Sequence, residues 1–414
     1  MKKIFKEIIK NPLFSGSTIM LIGSNSVNFL NLLYHFLMGK LLGSVNYGEL
    51  VALISLMGLL GIVAVSMSLV IVKYISVSKN EEEITGLTNW FKDRVLKISF
   101  VLFTVIILLV PFITSFLHIN NTIYVVLIGV SYLFSLPTLV NRSILQGLLK
   151  FREMISSVLA ENLAKLVLGT ILVYMGFGIN GAMVGLILAL IIGWYLTSTS
   201  LKMPIKRGLF NPDIKSMARF AVPVTVQTLA ITSIYSTDIL LVKHFFSAHD
   251  AGIYSVASTL GKIVLFGTGP IAAVMFPLVS RKQSRGENYK KVFQLSFLAT
   301  LFFSLVVLII YWLFPAFVIT ILYNYTYLEA KSLLFWFGLF MSLFTLSSLL
   351  ISYNLSLGRT NVVWLPLVAN LAQIIMIWFY HPSLFIVIII SMIVMALLMI
   401  SLFIYSSYGK RFSW

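Results

Sequence analysis

About twelve apolar stretches, each near twenty residues long, follow one another along this chain, at 14–38, 48–76, 96–117, 123–148, 156–175, 180–201, 218–242, 252–280, 292–314, 331–357, 362–380 and 384–406. A helix of about 20 apolar residues crosses the hydrocarbon core of a bilayer, and a helix satisfies its own backbone polar groups where no water can. The fold class this predicts is an all-α polytopic membrane protein with about 12 transmembrane helices.

The basic residues fix an orientation. With those spans, 23 of the 30 Lys and Arg fall in alternate connecting segments and only Lys40, Lys243 and Lys331 fall on the opposite side; Lys73, Arg142, Lys165 and Lys262 lie within or at the edges of spans. Basic residues stay on the cytoplasmic side, so both termini are expected there, in the inner or plasma membrane. An odd number of spans would scramble the bias.

Composition closes other routes. The chain is 59% hydrophobic and 10% charged, against about 25% charged in ordinary soluble chains. Its net charge of +17 is spread over short segments beside apolar spans, without a contiguous basic patch interleaved with aromatics, so nucleic acid is not an expected partner. Orientation and contact with anionic membrane lipids explain the charge better. There is no cysteine, hence no thiolate metal site or cysteine nucleophile. The basic start, Met1 to Pro12, carries Ile4, Phe5, Ile8 and Ile9 at helical spacing and is expected to lie along the interface; it does not read as a cleavable signal.

Six spans precede the basic loop Lys202 to Arg219 and six follow it, and the halves share landmarks. Lys40, Gly43, Tyr47-Gly48 and Ala52 have counterparts in Lys243, Ala251-Gly252, Tyr254 and Ala257; Leu145 to Lys150 corresponds to Tyr353 to Arg359. A duplicated six-helix unit is expected, with an N-terminal lobe at 1–206 and a C-terminal lobe at 207–414. An even number of spans per unit relates the lobes by a pseudo-twofold axis along the membrane normal, and transporters built this way bind substrate between their halves.

Asp238 to Lys243, Ala251 to Ala257 and Gln146 to Phe151 together resemble polysaccharide exporters of the Wzx type, in the multidrug, oligosaccharidyl-lipid and polysaccharide exporter superfamily. The resemblance implies a V-shaped pair of lobes that flips an undecaprenyl-diphosphate-linked oligosaccharide from the cytoplasmic to the outer leaflet, the polyprenyl tail staying in lipid. It also implies work alongside a glycan polymerase or glycosyltransferases. Lipid II flippases of the superfamily typically have fourteen spans, where twelve are read here.

Polar groups inside the spans are the candidate site, because a charge at mid-bilayer costs about 2.5–3.5 kcal/mol on insertion scales and faces a bundle interior or a wet cavity. Asn28, Asn31 and His35 fall with Ser24 on one face of span one, either bonding neighbouring helices or facing substrate. In span four Arg142 follows Ser135 and Thr138 on one face; its planar donors suit a diphosphate, the alternative being a side chain that snorkels to the headgroups. Lys73 ends span two and reads as snorkelling, with coupling or gating as the alternative. Glu161 and Lys165 are spaced i to i+4 and are expected to pair, as a structural or an ion-coupling pair. Lys262 has no acidic residue within one helical turn and ranks with Arg142 as the strongest lumen cation, both expected to face a shared aqueous lumen. Asp238, approached by Thr225, Thr228, Thr232 and Tyr235 with Gln227 one step aside, is expected to pair with Lys243 or across to another helix.

Gly176, Gly178 and Gly181 spell GxGxxG without a preceding strand, so they mark a turn and no dinucleotide site, and Gly181 with Gly185 suits close helix packing. No metal spacing, cofactor motif or nucleophile elbow is present. The longest outer loop, Pro315 to Ala330, carries Glu329 as its one charge, which disfavours an enzyme. The expected function is a lipid-linked oligosaccharide flippase working by alternating access. The rival is a drug or metabolite antiporter of the same superfamily, whose acidic site in span one has no counterpart here.

Overall fold

The computed structural model describes residues 12–78, 80–201 and 214–408, all helix and connecting turn. Residues 1–11 of the interfacial start expected over Met1 to Pro12, and the basic residues from Lys202 to Arg207, lie outside these.

The helices are α1 (Pro12–Leu60), α2 (Ile62–Val77), α3 (Glu81–Phe116), α4 (Ile123–Gly147), α5 (Phe151–Leu172), α6 (Gly178–Ser200), α7 (Ile214–Ile234), α8 (Thr237–Phe245), α9 (Ala248–Ser284), α10 (Lys290–Leu313), α11 (Pro315–Leu322), α12 (Lys331–Ser356), α13 (Trp364–Phe379) and α14 (Leu384–Tyr408). Among the described residues ten helical runs are long and apolar enough to cross a membrane, and the chain is a multi-pass membrane protein. Two of the runs, at 19–60 and 151–200, are far longer than the ~20 residues one crossing needs. Each is two helices joined at glycine. Gly43 breaks α1 with φ 73° and ψ 173°, and Gly176 (φ 92°) and Gly178 (φ 55°) break the second run, all conformations that a Cβ penalises.

Four expected elements differ. Span three, expected over 96–117, lies in α3, which already begins at Glu81. Span two, expected unbroken over 48–76, is interrupted at Gly61, whose carbonyl starts α2 by accepting from Ala64 and Val65 at 3.0 and 3.1 Å. Span seven, expected over 218–242, breaks between Ile234 and Thr237 into α7 and α8. The expected loop Pro315 to Ala330 is mostly helical: Pro315 opens α11, where its missing N–H costs nothing. A 3₁₀ turn follows over Tyr325–Ala330, and Ile319, Tyr323 and Tyr327 of this segment are fully buried.

The chain forms two compact units. The first comprises 1–42 and 60–225, the second 43–59 and 226–414, so α1 passes from one to the other at its glycine break. In the first unit α4 packs on α2, α3 and α6, and α5 packs on α6. Gly185 makes the last contact possible, since a Cβ there would lie 2.6 Å from the Gly169 backbone. In the second unit α12 is central, against α9, α10 and α14, with Phe337, Phe340, Met341 and Leu350 buried. Leu108 and Phe112 of α3 and Phe302 and Trp312 of α10 stay exposed, as lipid-facing residues must.

The sequence correspondence between the halves has a backbone counterpart. At the end of α4, Leu148, Leu149 and Lys150 donate to Ile144, Gln146 and Leu145; after α12, Leu357, Gly358 and Arg359 donate to Tyr353, Leu355 and Asn354. Position by position this is one helix-ending motif, a left-handed residue at C′ closing onto the last turn. Leu149 (φ 58°) and Gly358 (φ 76°) hold the left-handed place.

Candidate functional site

In the first unit four of the expected polar residues, Asn31 of α1, Arg142 of α4 and Glu161 and Lys165 of α5, form one cluster. Arg142 of α4 donates from Nε to Ser157 Oγ at 3.0 Å and from Nη2 to the Ser157 carbonyl at 3.0 Å and Glu161 Oε2 at 2.8 Å. One turn further along α5, Lys165 donates through Nζ to Asn31 Oδ1 of α1 and lies over the Tyr34 ring, 4.9 Å from its centroid. Asn31 is held in turn by its own Nδ2, which donates to the Val27 carbonyl at 3.1 Å.

Two expectations are corrected here. Glu161 and Lys165 do not form the expected i to i+4 bridge; the carboxylate closes on Arg142 instead, and Arg142 therefore has the acidic partner that its own helix lacks. The physical reason is reach: the guanidinium offers a planar fork from a neighbouring helix, while the lysine amine finds an amide and an aromatic face on α1. Space for the ion pair comes from α6, where a Cβ on Gly193 would stand 2.4 Å from Glu161 Oε2 and 3.1 Å from Arg142 Nη2. Next to it Asn141 ties α4 to α6 through Thr197 and Ser198, at 3.3 and 3.1 Å.

The other candidates in this unit stand apart from the ion pair. Asn28 is half-buried one turn before Asn31. His35 is half-buried with its ring edge-on to Tyr34, centroids 5.9 Å apart. Lys73 is exposed and lies over Tyr74, 5.8 Å from its centroid.

In the second unit, Asp238 opens α8 fully buried. Its Oδ2 accepts from Tyr254 Oη of α9 at 2.8 Å, and its Oδ1 has no partner among the described residues. The charge that acts on Asp238 is Lys262, so Lys262, expected without an acidic neighbour, has one across helices; its amine also lies 5.5 Å from the Tyr235 ring centroid. Lys243 is buried and interacts with Glu49 instead of Asp238, because a step of five positions along the helix turns the two side chains to different faces of α8. Gln227 is half-buried in α7.

Sequence reasoning missed the residues that seat 43–59 in the second unit. A Cβ on Gly48 would meet the Gly252 nitrogen at 2.6 Å, and Ser44 Oγ lies 3.0 Å from His249 Nδ1. Tyr47 Oη is 3.0 Å from both Thr259 Oγ1 and Tyr323 Oη. Glu49 stands at the expected start of a span, where hydropathy does not single out an acid, yet it is 8% exposed. Among the described residues no group of three or more His, Asp or Glu could hold a metal ion.

This fold is shared with membrane transporters. The chain is similar to a multidrug resistance MATE family transporter of the MOP superfamily in an inward-facing conformation, with TM-score 0.75 at 15% identity over 94% of this chain and 96% of that one. It is also similar to the lipid II flippase MurJ in an inward closed conformation, with TM-score 0.73 at 16% identity over 94% of this chain and 87% of that one. The outward-facing form of a MATE transporter aligns with TM-score 0.64 at 15% identity, covering 98% and 99% of the two chains. No curated protein matches by sequence. The polysaccharide biosynthesis protein family matches residues 37–332, well over half of the sequence and spanning most of the helices that carry the polar clusters, and the chain belongs to that family.

Proposed function

We propose that this protein flips an undecaprenyl-diphosphate-linked oligosaccharide from the cytoplasmic to the outer leaflet by alternating access, for surface polysaccharide biosynthesis. The observation that carries the reading is the sign of the polar interior of the first unit. Arg142 and Lys165 stand against the single carboxylate of Glu161, an excess of positive charge that an anionic diphosphate offsets. Family membership supports the glycan, and the fold, shared with a lipid II flippase, supports a lipid carrier. In the second unit Lys262, whose charge is opposed by Asp238, is a further substrate-binding candidate, with Asn28, Asn31, His35 and Gln227 as glycan-facing amides and imidazole, and Glu161, Asp238 and Lys73 as coupling or gating groups. Membrane lipids hold the carrier's tail, and a glycan polymerase or glycosyltransferases act before and after it.

We further infer twelve spans in two six-helix lobes, 1–206 and 207–414, related by pseudo-twofold symmetry, with both termini in the cytoplasm. Splitting the two double runs at Gly43 and Gly176 supports the count, and the matched helix ends at Lys150 and Arg359 support the repeat. A drug antiporter of the MATE kind is the second reading, favoured by the similarity to a MATE transporter. Against it, residues 19–42 carry no Asp or Glu.

The test is deletion of the chain with surface glycan measured by lectin binding. The flippase reading predicts loss of surface glycan with full-length lipid-linked glycan accumulating inside, restored by the wild-type chain. Normal surface glycan together with raised drug sensitivity would establish the antiporter instead.

A further inference from the structure

A guanidinium and a carboxylate that meet squarely share two parallel hydrogen bonds. Arg142 and Glu161 do not. Ser157 holds the Nε edge of the guanidinium, so Glu161 keeps Arg142 through one Nη2–Oε2 bond of 2.8 Å, and Nη1 has no partner among the described residues. The pair is not sealed either: the two side chains remain 18% and 17% accessible. On α5, Ser157, Glu161 and Lys165 follow one another on a different face from the exposed apolar stripe through Leu163, Val167 and Ile171. Lys165 adds a second cation one turn away, hydrogen-bonded to Asn31 and lying over Tyr34, with Glu161 close enough to act on it electrostatically but not bonded to it.

We propose that Glu161 is a built-in stand-in for the anionic head of the substrate: a carboxylate that occupies Arg142 at rest, yields to a phosphate oxygen and returns to Arg142 as the substrate leaves. The inference rests on the reading that the substrate carries a diphosphate. A phosphate group can take Nη1 first and then compete for Nη2, forming the two-pronged contact that Glu161 does not make. The exchange keeps an anion at Arg142 throughout, so the guanidinium is never left uncompensated in the membrane interior. A carrier also needs its cargo bound weakly enough to leave, and a resident competitor lowers affinity without removing the cation that confers selectivity.

The test is binding of farnesyl diphosphate to the purified chain in phosphatidylcholine nanodiscs, beside glycan export in cells normalised to inserted protein. Glu161→Gln keeps the shape and removes the charge; it is expected to bind the probe about tenfold more tightly, a coupling of ordinary size, and to export less glycan. The double variant Arg142→Gln/Glu161→Gln should bind no better than Arg142→Gln. Tighter binding with slower export is a combination that simple misfolding does not give. Unchanged or weaker binding by folded Glu161→Gln overturns the proposal. If that variant fails to insert, Glu161→Asp, which stays charged but is one methylene short of Nη2, reads the same question: tightening supports the stand-in role and no tightening removes it. Pyrophosphate alone should compete with the probe, whereas phosphatidylglycerol in the disc should not; competition by the lipid alone would assign the site to a headgroup and overturn the proposal. Loss of binding in Arg142→Gln with no tightening in Glu161→Gln sinks only the role of Glu161, whereas full binding and export in Arg142→Gln would sink the diphosphate reading itself.

Discussion

At the scale of single residues, the matched helix ends after α4 and α12 offer a comparison that side-chain packing does not confuse. Gly358 has φ 76° with open space where a Cβ would go, so Gly358→Ala should cost about 1 kcal/mol through backbone strain alone. Leu149 already bears that strain at φ 58°, and Leu149→Gly should recover part of it, less the entropy glycine adds to the unfolded chain. Opposite shifts in thermal unfolding of the two variants would confirm both signs. The sequence marked the positions of Arg142, Lys165, Lys262 and Asp238 because charge inside an apolar run is conspicuous. It did not reveal their partners: helical spacing relates Glu161 to Lys165 on α5, but the bond to Arg142 depends on how α4 and α5 pack, which no single-helix periodicity encodes. For Lys262, the expectation is that Lys262→Glu lowers glycan export severely while Lys262→Arg keeps part of it, since charge survives while geometry changes. Export normalised to inserted protein checks this, and undiminished export in Lys262→Glu would remove the residue from the mechanism.

Elements were legible where hydrophobicity sets their length and opaque where backbone conformation does. The spans of α4 to α6, of α9 and α10 and of α12 to α14 follow the apolar runs, because burial in lipid selects them. The break at Gly61 leaves no mark in hydropathy, since the residues on both sides are apolar, and at the second break the mostly polar run Ser233 to Asp238 is too short to end an apolar stretch. Close helix contact was legible from small residues: Gly185, expected to sit at a packing surface, places α6 directly on the backbone of α5 at Gly169. Gly185→Ala should therefore push α5 and α6 apart and destabilise the first unit by about 1–3 kcal/mol, whereas Gly58→Ala, with nothing within 4 Å, should be neutral or slightly stabilising. The measurement is the unfolding temperature of each purified variant, and equal behaviour of the two would refute close α5–α6 packing as a determinant of stability.

For the whole molecule, charge asymmetry predicts an orientation and the fold is one that transporters share, while the cargo is a proposal from family and chemistry together. Orientation is open to direct test because the chain has no cysteine. Ala248→Cys should react with a membrane-impermeant thiol reagent in intact cells and Phe210→Cys should not; the reverse pattern would invert the topology. The claim on which the account turns is that this chain by itself moves a diphosphate-linked glycan lipid across a bilayer. The purified protein in liposomes loaded with a fluorescent lipid-linked oligosaccharide measures this, with an impermeant reagent quenching probe on the outer leaflet. The account predicts that quenching passes the one-leaflet limit with wild-type protein and stays near it with Arg142→Gln, whereas quenching at the protein-free level with folded wild-type protein would contradict it.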